Sequence, residues 1–161
     1  MFYGDFMISK AELLMGRDTQ YPNDYTPEIS SNLDSLLIPL NGIRAAYGKP
    51  MIVVSGWRPP EVNAECGGAN KSKHMIGLAA DIMDGDGQLW NWVIANLPLM
   101  KSMGLFMEDK RWTKTWVHFQ LGQPQSGHRI FVPNASRPTD MTIWNGIYDT
   151  SLNEEPLLTP A

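Results

Sequence analysis

The sequence predicts one small α+β domain. Two long stretches place apolar residues at helical spacing, "PEISSNLDSLLIPLNGIRAAYG" and "GQLWNWVIANLPLMKSM". Between and after them lie short β-branched or alternating runs, "PMIVVSGWRPP", "LAADIMD", "GLFMED" and "TWVHFQL". A chain of 161 residues with 43% hydrophobic content can bury one core, and two full domains would be a squeeze.

Taken in order, "MISKAELLMG" sets Ser9 three residues before Glu12, a capping-box spacing that predicts a short helix near residues 9–15. "DTQYPNDYTP" reads as loop. From Pro27 to about Tyr47, Ile29, Leu33, Leu36, Leu37, Leu40 and Ile43 predict an amphipathic helix, bent at Pro39 and closed by Gly48. "PMIVVSGWRPP" reads as a buried strand ending in a proline turn. Residues 61–73 read as a loop after one helical turn, with Cys66 expected as a small buried apolar side chain. "LAADIMD" is a strand, and the second helix turns Leu89, Trp90, Val93, Ile94 and Leu97 toward the core. Two further strands, "GLFMED" and "TWVHFQL", are joined by the turn-like "KRWTK". Beyond Val132, prolines and polar residues predict an extended arm or partly disordered tail. The expected organisation is a domain over residues 1–132 and a tail over 133–161.

The net charge of −4 is scattered, with no basic run, which argues against a nucleic-acid partner. No apolar stretch reaches the roughly 18 residues of a membrane span. The start, "MFYGDFMISKAELLMGRD", lacks the parts of a secretory signal, so the expectation is a chain made in the cytoplasm. Cys66 is the single cysteine, which excludes an internal disulfide.

The chemistry concentrates in "SKHMIGLAADIMD". On one straight helix His74 and Asp81 would lie about 10 Å apart along the axis. In one extended strand they would be about 23 Å apart and on opposite faces. Neither arrangement suits an ion held at about 2.0–2.2 Å, so the chain must turn between them, and Gly77 is where it can. Asp81 then sits in a strand among apolar residues, where a bare carboxylate needs a partner. "TWVHFQ" offers a third ligand: Trp116, His118 and Gln120 share a face while Val117 and Phe119 point inward. Two histidines, an aspartate and an open position fit a catalytic zinc better than a structural one.

The stretch "SGWRPPEVNAECGGANKSKHMIGLAADI" resembles the signature of the M15 zinc peptidases, in particular the M15A-type D-alanyl-D-alanine carboxypeptidases and phage L-alanyl-D-glutamate endopeptidases. The matching positions are Ser55, Gly56, Arg58, Pro60, Asn63, Gly67, Gly68, Ser72, His74, Gly77, Ala80 and Asp81, with Trp116, Val117 and His118 further on. The resemblance covers about residues 27–120. It implies one zinc ion held by His74, Asp81 and His118, and Arg58 holding a substrate carboxylate, for which a planar bidentate donor is suited. Ser72 either binds substrate backbone or stabilises the turn before His74. Trp57 and Trp116 either wall a peptide groove or belong to the core.

Many relatives of this kind carry a glutamate three residues before the last histidine, where this chain has Thr115. Glu108, near the end of the strand expected to pair with residues 115–121, is the substitute general base, ahead of Asp109, Asp84, Asp86 or no base at all. His128 is expected to be an exposed loop residue. The implied fold is a Hedgehog/D,D-peptidase-like antiparallel sheet with helices on one side and the zinc on the other. The implied activity is hydrolysis of peptidoglycan stem peptides, by a lysin acting on the cell wall after release or as a virion component. Loss of the usual glutamate also leaves open a zinc-containing wall-binding or virion module, with the C-terminal tail as its docking arm.

Overall fold

A helix needs a start, an apolar stripe and a stop, and the stretch from Thr26 to Gly48 supplies all three. The Thr26 hydroxyl accepts the Ile29 N–H at 3.2 Å, Pro27 fills the first helical position, and Gly48 closes the helix. In the computed structural model, which describes residues 7–133, this helix runs Pro27–Tyr47 and continues through Pro39. Its inward stripe, Leu33, Leu36, Leu40 and Ile43, is fully buried, each side chain contributing about 2 kcal/mol by leaving water.

Two compact units divide the chain at Met83 and Asp84. In the first, helix α1 (Lys10–Leu14) has the expected capping box between Ser9 and Glu12. The segment read as loop after it contains a further short helix, α2 (Arg17–Gln20); the long helix is α3. Strands β1 (Val53–Ser55) and β2 (Ala79–Met83) pair antiparallel, with Val53 opposite Ile82 and Ser55 opposite Asp81. Between these pairs the register shifts, so two residues of β1 span one of β2. The single helical turn expected after Pro60 extends to α4 (Pro60–Glu65). Trp57 is fully buried, donates its indole N–H to the Met75 carbonyl at 3.0 Å and meets Tyr25 edge-on. Of its two expected roles, Trp57 takes the core one.

In the second unit the expected long helix is two helices, α5 (Gln88–Ala95) and α6 (Leu97–Ser102), separated at Asn96. Pro98 lies in the first turn of α6, where its missing N–H costs nothing. Asp84 caps α5: its buried carboxylate accepts the N–H groups of Leu89 and Trp90 at 2.9 and 3.0 Å. Strands β3 (Leu105–Glu108) and β4 (Trp116–Leu121) pair antiparallel, with Met107 opposite Phe119. A fifth strand, β5 (Ile130–Phe131), pairs parallel to β3, so the sheet is mixed where an antiparallel one was expected. Two residues among turn formers carry too short a period to be read as a strand. The five-stranded sheet has the order β1-β2-β4-β3-β5, and the α+β class is as expected. No helix among the described residues is long and apolar enough to cross a membrane. The expected tail lies, from residue 134 on, outside the described residues.

Candidate metal centre

His74 sits on a single 3-10 turn, Lys73–Ile76, with only 1% of its surface exposed. The Ser72 hydroxyl starts the turn by accepting the His74 N–H at 3.2 Å. Gly77 ends it with φ of 80°, a left-handed conformation that side chains resist, and a Cβ there would lie 2.9 Å from the Ile29 carbonyl oxygen. The reversal required between His74 and Asp81 is therefore made at Gly77. Asp81 follows in the middle of β2, between the fully buried Ala80 and Ile82.

One hydrogen bond orients the His74 ring. Its Nδ1 lies 2.8 Å from the Gly56 carbonyl oxygen. A carbonyl only accepts, so Nδ1 is the donor of this bond and Nε2 is the nitrogen the ring can offer a metal. That nitrogen is 3.2 Å from Asp81 Oδ1. Bonds of about 2.1 Å at a tetrahedral ion separate neighbouring ligands by about 3.4 Å, close to this spacing. A hydrogen-bonded second nitrogen of this kind is what orients a metal-binding histidine. The donor set thus fits a divalent ion.

Gly56 can offer that carbonyl because it has no side chain. The adjoining Trp57 N–H bonds the Leu13 carbonyl at 2.8 Å, and a Cβ on Gly56 would lie 2.1 Å from that same oxygen. Gly56→Ala is therefore expected to destabilise the protein by about 3 kcal/mol, at the upper end for overpacking, and to weaken metal binding. A urea melt with zinc titration of the refolded variant checks both.

Strand β4 shows the expected alternation. Val117 and Phe119 are fully buried in the core, while His118 and Gln120 lie on the other face, each 5% exposed. The pairing of Met107 with Phe119 brings Glu108 beside His118, and Glu108 Oε1 lies 4.0 Å from His118 Nε2. Gln120 donates its amide N–H to the Gly122 carbonyl at 2.9 Å, which turns its Oε1 toward His118 Nε2 at 2.8 Å. An amide oxygen only accepts, so His118 Nε2 is the donor of this bond and Nδ1 is the nitrogen the ring can offer a metal. Phe131 packs edge-on against the ring, with centroids 6.1 Å apart. Trp116 is half-buried at the strand's start. Ligand atoms of His74, Asp81 and His118 all lie within 4.8 Å of one another.

The rival carboxylates are occupied elsewhere. Asp109 is buried and held by Arg111 through two side-chain bonds, at 3.0 and 2.8 Å. Asp84 caps α5 and takes Lys110 at 3.3 Å. Asp86 accepts the Gln88 N–H at 3.0 Å. Thr115 is exposed, and its carbonyl accepts the Asp84 N–H at 2.8 Å.

Arg58 is half-buried. It donates Nη2 to the Ser72 hydroxyl at 3.1 Å and Nη1 to Cys66 Sγ at 3.2 Å, while its backbone N–H bonds the His74 carbonyl at 3.0 Å. Ser72 therefore makes the turn-stabilising contact, one of the two roles offered for it, and also links Arg58 to the histidine turn. Cys66 is exposed, contrary to the expectation of a buried side chain, because the turn after α4 leaves its thiol at the surface beside the guanidinium. His128 is half-buried in a loop where full exposure was expected. Two contributors went unassigned in the sequence: the Gly56 carbonyl, which has no side-chain signature, and Gln120, whose place beside His118 was legible from alternation alone.

A family model described as Peptidase M15 matches residues 9–119, well over half of the 161 residues. No curated protein matches the chain. The match spans the histidine turn, β2, Glu108 and His118, so the residues that make the site are those the family model covers, and the chain belongs to the M15 peptidase family.

Proposed function

We propose that the chain is a zinc-dependent peptidase that hydrolyses amide bonds in peptidoglycan stem peptides, as an endopeptidase or a D,D-carboxypeptidase of the phage-lysin kind. One observation carries the reading most directly: the His74 ring, held through Nδ1 by the Gly56 carbonyl, turns Nε2 toward Asp81 at 3.2 Å, as a metal ligand must. His74, Asp81 and His118 would hold the ion. When bound, zinc supplies Lewis acidity, polarising the scissile carbonyl and making water acidic enough to attack it.

The chain's own residues do the rest. Glu108 takes a proton from the attacking water and returns it to the leaving amine as the C–N bond breaks, giving a carboxylic acid and an amine. Its carboxylate is 23% exposed, open enough to exchange protons with a substrate and near enough to His118 to reach the reacting water. Arg58, anchored by Ser72, holds a carboxylate of the peptide and so fixes which bond faces Glu108. Trp116 offers an apolar wall beside it. Action on the wall after release, or from a virion with residues 133–161 as a docking arm, extends this reading.

A second reading follows from Thr115, which is exposed and cannot act as a base. If Glu108 does not replace the missing glutamate, the chain binds the wall without cutting it. Purified, outer-membrane-stripped cell walls decide between the two. Turbidity loss with new amine termini, by protein carrying about one zinc, is the expected result. Zinc with wall binding but no new termini would favour the binding module, and protein that takes up no zinc would overturn both.

A further inference from the structure

Arg17 was assigned no role by the sequence, and the half-buried α2 places its guanidinium on the backbone of a site residue. Its Nη1 donates to the Trp57 carbonyl at 2.7 Å, the oxygen of the peptide bond that leads into Arg58. The two guanidinium groups are thus tethered to one peptide unit. Arg17 commits one of its five N–H donors and Arg58 two, to a hydroxyl and a thiol. Neither forms an ion pair with any carboxylate among the described residues.

Two cations held together without an anion are costly unless something else supplies it. The Arg17 pKa is lowered from its ordinary value, first by burial and next by the charge of Arg58, against smaller opposing contributions from Cys66 and Tyr21. No carboxylate is among the groups that shift Arg17, while Glu61 and Glu65, after desolvation, raise the pKa of the Tyr21 hydroxyl. The Arg58 Nε is buried with no hydrogen-bond partner.

We propose that Arg17 and Arg58 form a two-arginine clamp for one substrate carboxylate, with Arg17 the residue that restricts substrates to peptide acids. The inference rests on the peptidase reading for its substrate but not for its binding test. A planar carboxylate accepts two parallel N–H bonds from one guanidinium and further bonds from a second. Arg58 alone would tolerate a neutral amide in that place through single bonds. Two adjacent cations favour the anion strongly over the amide.

The test compares zinc-loaded protein binding a D-alanyl-D-alanine-terminated peptide acid with binding of the same peptide carboxamide, by calorimetry on a timescale shorter than turnover. Wild type is expected to prefer the acid by about 100-fold, and Arg17→Gln to keep only about 10-fold, a loss of one charge-assisted bond. Arg17→Lys, which retains the charge and a donor for the Trp57 carbonyl, guards against a mere folding defect. It should melt like wild type and recover part of the preference. Acid preference without cleavage of either peptide would remove the peptidase reading and leave the clamp standing. An acid preference unchanged in Arg17→Gln, or a wild type that does not distinguish acid from amide, would overturn the clamp.

Discussion

Glu108→Gln is expected to lose about 10³-fold in hydrolytic rate, within the range for removing a general base, while zinc content stays near that of wild type. The expectation follows from position. Glu108 Oε1 lies 4.0 Å from His118 Nε2, too far for a direct hydrogen bond and close enough for a water to sit against both. Glutamine keeps the size and the strand, so β3 and β4 should pair as before, but an amide cannot take up the proton. The loss should therefore fall on kcat, with KM for the peptide nearly unchanged. Asp109→Asn is the informative contrast. Asp109 is buried and committed to Arg111, so its replacement should lower stability by about 1–3 kcal/mol and leave the rate per folded molecule near wild type. If the two variants exchanged behaviours, Glu108 would not be the base.

The parts of this architecture that were legible in the sequence are those where one local rule dominates. Helix α3 announced itself through Thr26, Pro27, a regular apolar stripe and Gly48, all of which act within a turn or two of the chain. The site's turn was legible for a related reason: His74 and Asp81 are useful together only if the chain reverses between them, and Gly77 was the residue that allowed it. What escaped depends on partners distant in sequence. The parallel pairing of β5 with β3 is made by Met107 and Ile130, a match that no local pattern encodes. Gly56 reads as a strand-end glycine, and only the approach of the Leu13 carbonyl explains why nothing larger fits. Cys66 has the composition of a core residue and is kept at the surface by the turn that brings Arg58 and Ser72 together.

Asp81→Asn should abolish both zinc uptake and hydrolysis without unfolding the chain, and it separates the metal's role from the scaffold's. An amide oxygen is a poor substitute for a carboxylate at zinc. Loss of a direct ligand should exceed the roughly 10–100-fold penalty seen for residues that only orient ligands. The Asp81 oxygen and His74 Nε2 lie 3.2 Å apart, a spacing that one bound cation fits. Zinc should accordingly raise the wild-type melting temperature, by about 2.7 kcal/mol of added stability when free metal is a hundredfold above Kd, and chelator should reverse it. The variant should ignore both zinc and chelator. Melting curves with and without zinc, read beside bound-metal content, test this directly. A variant that still gained stability from zinc would show that the Asp81 carboxylate is not needed to hold the ion.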